Sequence, residues 1–194
     1  MPNSPATNFL TADVYFSSDA DDAALVRRCL AGETAAFETL VERYQRVMYT
    51  VALRMLGNPD DARDATQAAL LRGYERLESF DDGYRFFSWI YRILVNECLN
   101  VIRGRRPEDE LSPTLAVSTG PFDAAVSRER RVHVQAALQH LSPDYRAVVV
   151  LRHFAGMSYD EMAEALGVPA KTVKSRLHTA RQKLGELLLG WSAS

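Results

Sequence analysis

Helical periodicity is the feature of this sequence that most constrains its fold. From Asp21 to about Leu189, apolar residues recur at spacings of three and four, which is the repeat of an α-helix with one buried face. The apolar run 148–151 is the one stretch that could suit a strand, and it lies inside a helical pattern. The sequence therefore predicts an all-α protein.

Glycine and proline divide this pattern into separate helices. Asn58 and Ser142 each precede a proline, which is typical of an N-cap followed by proline at the first helical position. Two further helices are expected after residue 157, a short one that ends at Gly167 and a longer one from Pro169 to about Leu189. The other expected helices cover residues 21–31, 34–55, 59–77, 86–103, 122–140 and 143–154.

Two segments lack the helical repeat. Residues 1–20 are rich in Ser, Asn, Thr, Pro and Asp, and we expect a flexible tail there. Residues 104–121, GRRPEDELSPTLAVSTGP, combine Pro, Gly, Ser and mixed charge, as interdomain linkers do. The chain is thus predicted to form two small helical domains, residues 21–103 and 122–194, joined by a flexible linker.

Composition excludes several classes of protein. The 194 residues carry a formal net charge of −2, and no apolar run approaches the roughly 20 residues of a membrane helix. Cys29 and Cys98 have no nearby His or Cys partners, so we expect two core thiols. There is no phosphate-binding Gly-rich loop, metal-ligand cluster or nucleophile with a base. We expect a cytoplasmic protein with no cofactor or metal and no catalysis of its own.

A helix-turn-helix is predicted near the C-terminus. Ser158 and Glu161 have the spacing of a capping box, in which each side chain satisfies the other residue's amide. Gly167 ends the short helix that follows, Val168 adds an apolar contact, and Pro169 opens the next helix. A turn this tight between two helices is typical of the motif.

The second helix of this motif has the pattern of a recognition helix. Val173, Leu177, Ala180 and Leu184 fall on one face, and residues 165–185 contain no acidic residue. The opposite face fits a DNA major groove, although a hairpin with a merely solvated polar face remains the alternative. The candidate DNA contacts are Lys171, Thr172, Lys174, Ser175, Arg176, His178, Thr179 and Arg181.

Several motifs resemble those of one family. LVRRCLAGETAAFETLVERYQ, MLGNPDDARDATQ and FFSWIYRILVNECLN occur in the N-terminal half, and LSPDYRAVVVLRHFAGMSYDEMAEALGVPAKTVKSRLHTARQKL in the C-terminal half. In this order and spacing they resemble the extracytoplasmic-function (ECF) class of RNA polymerase sigma factors, of the sigma-70 superfamily. The resemblance implies that residues 21–103 are sigma region 2 and residues 122–194 sigma region 4.

The resemblance also implies roles for particular residues. The recognition helix would read the duplex minus-35 element. The loop from Phe80 to Arg85 would capture a flipped base of the minus-10 element, and Arg92, Asn96 and Asn100 would line single-stranded DNA. Trp89 is expected in the core. The residues implied in docking on a coiled coil of the polymerase largest subunit are Asp60, Asp64, Gln67, Leu71 and Arg72, whose spacing predicts one exposed stripe.

The chain departs from the common pattern of the family at a few positions. Lys171 and Thr179 stand where many relatives carry glycine and a second basic residue. Ala68 and Ala69 follow Gln67, and Gly73 lies inside the predicted helix, where glycine costs about 1 kcal/mol relative to alanine.

The implied function is that of a sigma factor, which binds RNA polymerase core and directs promoter recognition and transcription initiation. Implied partners are the coiled coil and flap of the polymerase, promoter DNA and an anti-sigma factor, without membrane insertion. Two alternatives are a sigma-like mimic that sequesters an anti-sigma factor and a helix-turn-helix regulator acting without polymerase core. A metal-dependent helical enzyme is a third, disfavoured because carboxylates such as Glu97 lack an inward-facing partner pattern.

Overall fold

The computed structural model describes residues 19–105 and 123–192, with side chains over 21–105 and 131–189. Within these ranges the protein is helical and has no strand, so the all-α prediction is confirmed. The predicted tail up to residue 18 and residues 106–122 of the predicted linker and helix start lie outside the described residues.

The helices are α1 (Asp19–Leu30), α2 (Ala35–Leu56), α3 (Pro59–Glu75), a 3-10 turn (Leu77–Ser79), α4 (Phe86–Gly104), α5 (Asp123–His140), α6 (Pro143–Phe154), α7 (Tyr159–Leu166) and α8 (Ala170–Ser192).

Helix boundaries differ slightly from those predicted. Helix α1 begins at Asp19, two residues inside the predicted tail, and α4 includes Gly104, the first residue of the predicted linker. Helix α3 ends at Glu75 rather than near Leu77, because the chain tightens there into the 3-10 turn. Ser142 occupies the N-cap position of α6, but its side chain makes no capping hydrogen bond, which corrects the expectation of a side-chain cap.

The core of the N-terminal domain, α1–α4, lies between α2 and α4. Met48 and Val51 of α2 and Leu94 and Cys98 of α4 are fully buried. Helix α4 is apolar on most of its circumference, which suits its central position. Helix α1 is tied to this core through Asp22, a buried carboxylate that accepts hydrogen bonds from Arg43 and Tyr44.

The turn between α2 and α3 follows the predicted caps. Gly57 has φ +75°, which glycine adopts without strain, and its N–H donates to the carbonyl of Leu53 at 2.8 Å. The Asn58 side chain then accepts from the backbone N–H of Asp60 at 2.8 Å and of Asp61 at 3.2 Å. Because one residue closes α2 and the next opens α3, the two helices are rigidly joined.

Gly73 allows α3 and α4 to pack closely. A Cβ added at this position would lie 2.5 Å from Cδ1 of Ile90, which is itself buried in α4. The neighbouring Ala69 is fully buried. Ala69 and Gly73 therefore belong to the packed side of α3, whereas Ala68 is half-buried, and the low helix propensity of Gly73 is the cost of this close approach.

The C-terminal domain, α5–α8, is organised around α6. Val148 and Leu151 of α6 are fully buried, as are Met162 of α7 and Val173 of α8. This domain packs on the other: α7 lies against α4, and α5 and α6 lie against α2. The two helical domains thus form one packed body.

Candidate nucleic-acid interface

The capping box predicted for α7 is present. Ser158 Oγ accepts from the Glu161 backbone N–H at 3.2 Å, and a Glu161 carboxylate oxygen accepts from the Ser158 N–H at 2.6 Å. Gly167 ends the helix with φ +64°, and the N–H of Val168 donates to the carbonyl of Ala163 at 3.1 Å. These bonds fix the short turn that places α8 across α7, as a helix-turn-helix requires.

Helix α8 has the predicted buried face. Val173, Leu177 and Ala180 are at most 1% exposed, and Leu184 packs partly against the core. Of the candidate DNA contacts on the opposite side, the half-buried ones are Thr172, Arg176 and Thr179. The exposed ones are Lys171, Lys174, Ser175, His178 and Arg181.

Neighbouring helices hold two cations of α8. Lys174 Nζ lies 5.4 Å from the centroid of the Tyr159 ring, a cation–π distance. Arg176 pairs with Asp144 of α6 at 2.9 Å, so its guanidinium is partly engaged within the protein. Lys174 is therefore the freer of these two charges toward solvent.

Helix α6 adds two basic residues that the sequence did not single out. Arg152 donates to the Met157 carbonyl at 2.6 Å, and its guanidinium lies 5.4 Å from the Tyr159 ring that Lys174 also faces. Burial, followed by the positive charges of Arg181 and Arg152, lowers the pKa of His153. Only tertiary packing brings these residues to α8, since they belong to a different helix and precede Ala170, the first residue of α8, by 18 and 17 positions.

The loop before α4 exposes Tyr84 rather than Phe80, the aromatic residue that the sequence analysis selected. Phe80 is half-buried, with its ring 5.7 Å from Phe86 and 5.5 Å from Trp89. Trp89 is packed against the core, as expected. Tyr84, which falls in the predicted loop but was not named, is 58% exposed and is the aromatic side chain that a base could reach.

Helix α4 presents a polar stripe beside this loop. Arg92, Asn96 and Asn100 are exposed and are separated by four residues, so they share one face. Arg85 at the N-cap forms a salt bridge with Glu161 of α7 at 2.5 Å. Burial raises the pKa of Glu161, but hydrogen bonds from Ser158 and Arg85 outweigh it, so the pKa is lowered and the carboxylate stays charged.

The residues predicted to dock on polymerase share one helix and are all exposed on α3. Leu71 is 59% exposed, and Tyr74, which the sequence analysis did not select, adds a second exposed apolar side chain at 44%. Tyr74 packs edge-on against Phe37. The stripe, here called the α3 stripe, comprises Asp60, Asp64, Gln67, Leu71 and Arg72, of which Arg72 is paired with Glu97.

Over residues 19–105 and 123–192, no helix is long and apolar enough to cross a membrane. In the same ranges no group of three His, Cys, Asp or Glu residues could hold a metal ion. Cys29 and Cys98 are both buried free thiols.

Comparison with known proteins identifies the family. Residues 40–108 match the family described as Sigma-70 region 2, and residues 131–184 match Sigma-70, region 4. The ECF RNA polymerase sigma factor SigW of Bacillus subtilis is 33% identical over 176 residues, which cover 84% of this chain and 94% of that protein. The chain belongs to the ECF sigma factors of RNA polymerase. As a sigma factor it directs transcription initiation.

Further sigma factors are similar to this chain over most of its length. The ECF sigma-E factor of Escherichia coli K12 is 33% identical over 181 residues, covering 87% of this chain and 94% of that protein. CnrH, solved in complex with the cytosolic domain of CnrY, superimposes with a TM-score of 0.71 at 28% identity over 88% of this chain and 98% of its own. The sigma factor RpoE of Bartonella quintana, solved with the anti-sigma factor NepR, gives 0.62 at 27% identity over 78% and 96%.

Proposed function

We propose that this sigma factor divides promoter recognition between its two domains and docks on polymerase through a third surface. The observation that carries the proposal is the separation of three exposed faces on different helices: the α3 stripe, the polar stripe of α4 and the basic face of α8. Each face has the chemistry of a different contact. Residues 21–103 would act as region 2 and residues 122–194 as region 4, joined by the linker 104–121.

The α3 stripe would bind the coiled coil of the polymerase largest subunit. Its exposed Leu71 offers an apolar anchor, and Tyr74 enlarges that anchor. Asp60, Asp64 and Gln67 surround this anchor with polar groups that suit the rim of an interface. Region 4 would contact the flap of the same enzyme.

The loop before α4 and the α4 stripe would take up the single-stranded minus-10 element. Tyr84 can stack on an unpaired base, while Arg85 and Arg92 can neutralise phosphates. Asn96 and Asn100 offer donors and acceptors for base edges further along the same face. Phe80, which packs on Phe86 and Trp89, would support the loop rather than bind a base directly.

Helix α8 would read the minus-35 element in the major groove. Lys171, Lys174 and Ser175 lie in its first turns, which is where recognition helices reach base edges. Arg181, together with Arg152 of α6, would hold phosphates on the flanks. Both DNA contacts are modest in size, so joining them in one chain raises effective concentration and makes binding depend on both elements.

Regulation by an anti-sigma factor is the further partner that we propose. CnrH was solved with the cytosolic domain of CnrY and the Bartonella RpoE with the anti-sigma factor NepR, and both superimpose on most of this chain. We place the protein in the cytoplasm, where its polymerase and DNA are. The phosphodiester chemistry belongs to the polymerase, so the protein would have no catalytic activity of its own.

Transcription in vitro with bacterial core polymerase and a promoter library tests the proposal. The expected result is a set of transcripts that depend on this protein and are lost with Gln67→Ala plus Leu71→Ala, two exposed positions of the α3 stripe. Glu42→Ala, at an exposed position of α2, is the matched control and is expected to keep them. No transcripts together with duplex binding by the protein alone would favour a regulator that works without core polymerase, and neither activity would favour a mimic.

A further inference from the structure

Four polar residues of α8 lie directly opposite its buried stripe. Successive residues of a helix are turned by about 100°, so these four fall within about 60° of one another around the helix axis. All of them are exposed, and they are Lys171, Ser175, His178 and Gln182. Of the four, only Lys171 is a lysine or arginine, so it is the one cation in the middle of the face proposed for the major groove.

Two other basic residues of α8 are held to the sides of this face. Lys174 Nζ lies 5.4 Å from the centroid of the Tyr159 ring of α7. On the opposite side of α8, Arg176 pairs with Asp144 of α6 at 2.9 Å. Over residues 21–105 and 131–189, whose side chains are described, no ion pair or ring contact holds Lys171. Its ammonium group can therefore extend straight out from the helix.

Lys174 belongs to a group of cations on one side of α8. The Arg152 guanidinium lies 5.4 Å from the same Tyr159 ring, and Arg181 is close enough to His153 of α6 for the two side chains to interact electrostatically. Cations along one side of a recognition helix suit the phosphates of one DNA strand, and phosphates are the same in every sequence. Discrimination between sequences therefore has to come from the middle of the face.

The chemistry of a lysine in that position favours guanine. In the major groove guanine presents two acceptors, N7 and O6, whereas adenine presents N7 beside an amino donor. An ammonium group only donates, so it matches both guanine atoms but leaves the adenine amino group without an acceptor. Lys171 is the second residue of α8, and recognition helices contact base edges through their N-terminal residues.

We propose that Lys171 is a specificity-determining residue, which donates to N7 and O6 of a guanine in the minus-35 element while Lys174 holds a phosphate beside it. The inference deepens the minus-35 role proposed for α8 and rests on it. His178 lies two turns, about 10 Å, further along the same face, so the guanine stands about three base pairs from the bases nearest His178. The contact would be particular to this chain, because many relatives carry glycine at this position.

Selection from a promoter library tests the assignment. Polymerase holoenzyme, assembled from core polymerase and the full-length protein, is bound to promoters that are randomised across the minus-35 element. The wild type is expected to enrich guanine at one position, and Lys171→Ala is expected to lose that preference alone. Lys174→Ala removes the same side chain three residues away and is the matched control. It is expected to keep the guanine preference while binding every sequence less tightly. Alanine is the strongest helix former, so both variants preserve α8.

Replacing atoms of the base tests the contact directly. The selected promoter is compared with two others, in which the guanine is replaced by adenine or by 7-deazaguanine, which lacks the N7 acceptor. Wild-type holoenzyme is expected to bind the adenine promoter about tenfold less tightly, with a smaller loss for 7-deazaguanine. The Lys171→Ala holoenzyme is expected to bind all three promoters equally well, whereas Lys174→Ala should discriminate among them as the wild type does. Fluorescence anisotropy measures these affinities.

The possible results separate the role of Lys171 from the role of α8. A guanine preference that survives in Lys171→Ala, a preference for another base that depends on Lys171, or a uniform loss of affinity in this variant would overturn the assignment. Each of these results would leave the minus-35 role of α8 intact. If wild-type holoenzyme initiates transcription but enriches no base at any position of the element, the minus-35 role of α8 is itself overturned.

Discussion

Arg146 of α6 donates a hydrogen bond across the domain boundary to the carbonyl of Met55 at the C-terminal end of α2. Its guanidinium also donates to the carbonyls of Leu138, Gln139 and Leu141 and to the side chain of Gln139. An arginine has five N–H donors, so the whole fork is used. The buried Arg146 side chain therefore binds carbonyls at the C-terminal end of α5 and at the C-terminal end of α2.

Replacing this residue tests its structural role. Arg146→Lys keeps the charge but offers three donors in a different geometry, which leaves buried carbonyls without a partner. We expect the free energy of unfolding to fall by about 2–3 kcal/mol. Urea denaturation followed by circular dichroism measures this. Arg176→Lys, a half-exposed ion-pair position in the same domain, is the control and should change stability by less than about 0.5 kcal/mol. Equal effects of the two variants would contradict the role given to Arg146.

The close approach of α3 and α4 predicts an unusual glycine effect. Gly73→Ala improves helix propensity by about 1 kcal/mol but places a methyl group against Ile90, which costs about 1–3 kcal/mol in a packed core. We expect no gain or a net loss of stability. Gly185→Ala in α8, where a Cβ would meet nothing within 4 Å, should stabilise the protein by up to about 1 kcal/mol.

The partner side chain gives a direct check on this clash. Ile90→Val removes the methyl group that the new Cβ would meet, so Gly73→Ala should be less harmful in that background than in the wild type. Thermal denaturation of the single and double variants measures the coupling. Additive effects would show that the clash is not the cause.

Two serines at helix starts should respond differently to the same change. Ser158→Ala removes a capping hydrogen bond and is expected to cost about 1 kcal/mol of stability. Ser142→Ala, at the N-cap of α6 where the side chain makes no such bond, should be close to neutral. Urea denaturation measures both losses of stability. A larger loss in Ser142→Ala than in Ser158→Ala would contradict the prediction.

His153 predicts a pH dependence of stability. Its pKa is lowered by burial and by the charges of Arg181 and Arg152, whereas in the unfolded chain a histidine titrates near about pH 6.5. Between the two pKa values the unfolded state binds more protons, so stability falls as the pH falls below about 6.5. His153→Gln is expected to flatten this decline in melting temperature between pH 7.5 and 5.5. His140→Gln controls for loss of an imidazole elsewhere, and an unaltered profile in His153→Gln would contradict the prediction.

The basic face of α8 predicts a change in salt dependence. Lys174→Ala and Arg181→Ala each remove one proposed phosphate contact, so the slope of log binding constant against log salt should fall by about one unit in each. Anisotropy titrations of a minus-35 duplex at several salt concentrations give the slope. Arg46→Ala removes the same charge from an exposed position of α2 and should leave it unchanged. An unchanged slope in both α8 variants would rule out this docking face.

Local signals in the sequence were sufficient to predict the helices and several of their caps. Gly57, Asn58 and Gly167 act within a few residues of where they stand, so propensity and spacing predict their roles. The buried face of α8 follows equally from its repeat. Ser142 shows the limit of such signals, because a residue of the right type at an N-cap still needs the right rotamer to accept a bond.

The contacts between helices could not be predicted in the same way. In the sequence, Gly73 shows only the loss of helix propensity that glycine brings. Its benefit is the close packing of α3 against α4, which depends on Ile90 of another helix. Arg152 joins the basic face of α8, and Glu161 meets Arg85, only after the chain has folded. Phe80 rather than Tyr84 was selected in the loop before α4, because sequence patterns do not tell which of two aromatic residues turns inward.

The turn between α2 and α3 gives the molecule a mechanical property. At the end of α2 the Gly57 N–H donates to the Leu53 carbonyl, and at the start of α3 the Asp60 N–H donates to the Asn58 side chain. Hydrogen bonds therefore hold the turn on both sides. Under the proposed docking on α3, a force on that helix would reach the last turn of α2, where the Met55 carbonyl accepts a hydrogen bond from Arg146 of the other domain. The turn would then link the helix proposed to bind polymerase to the contact between the two domains.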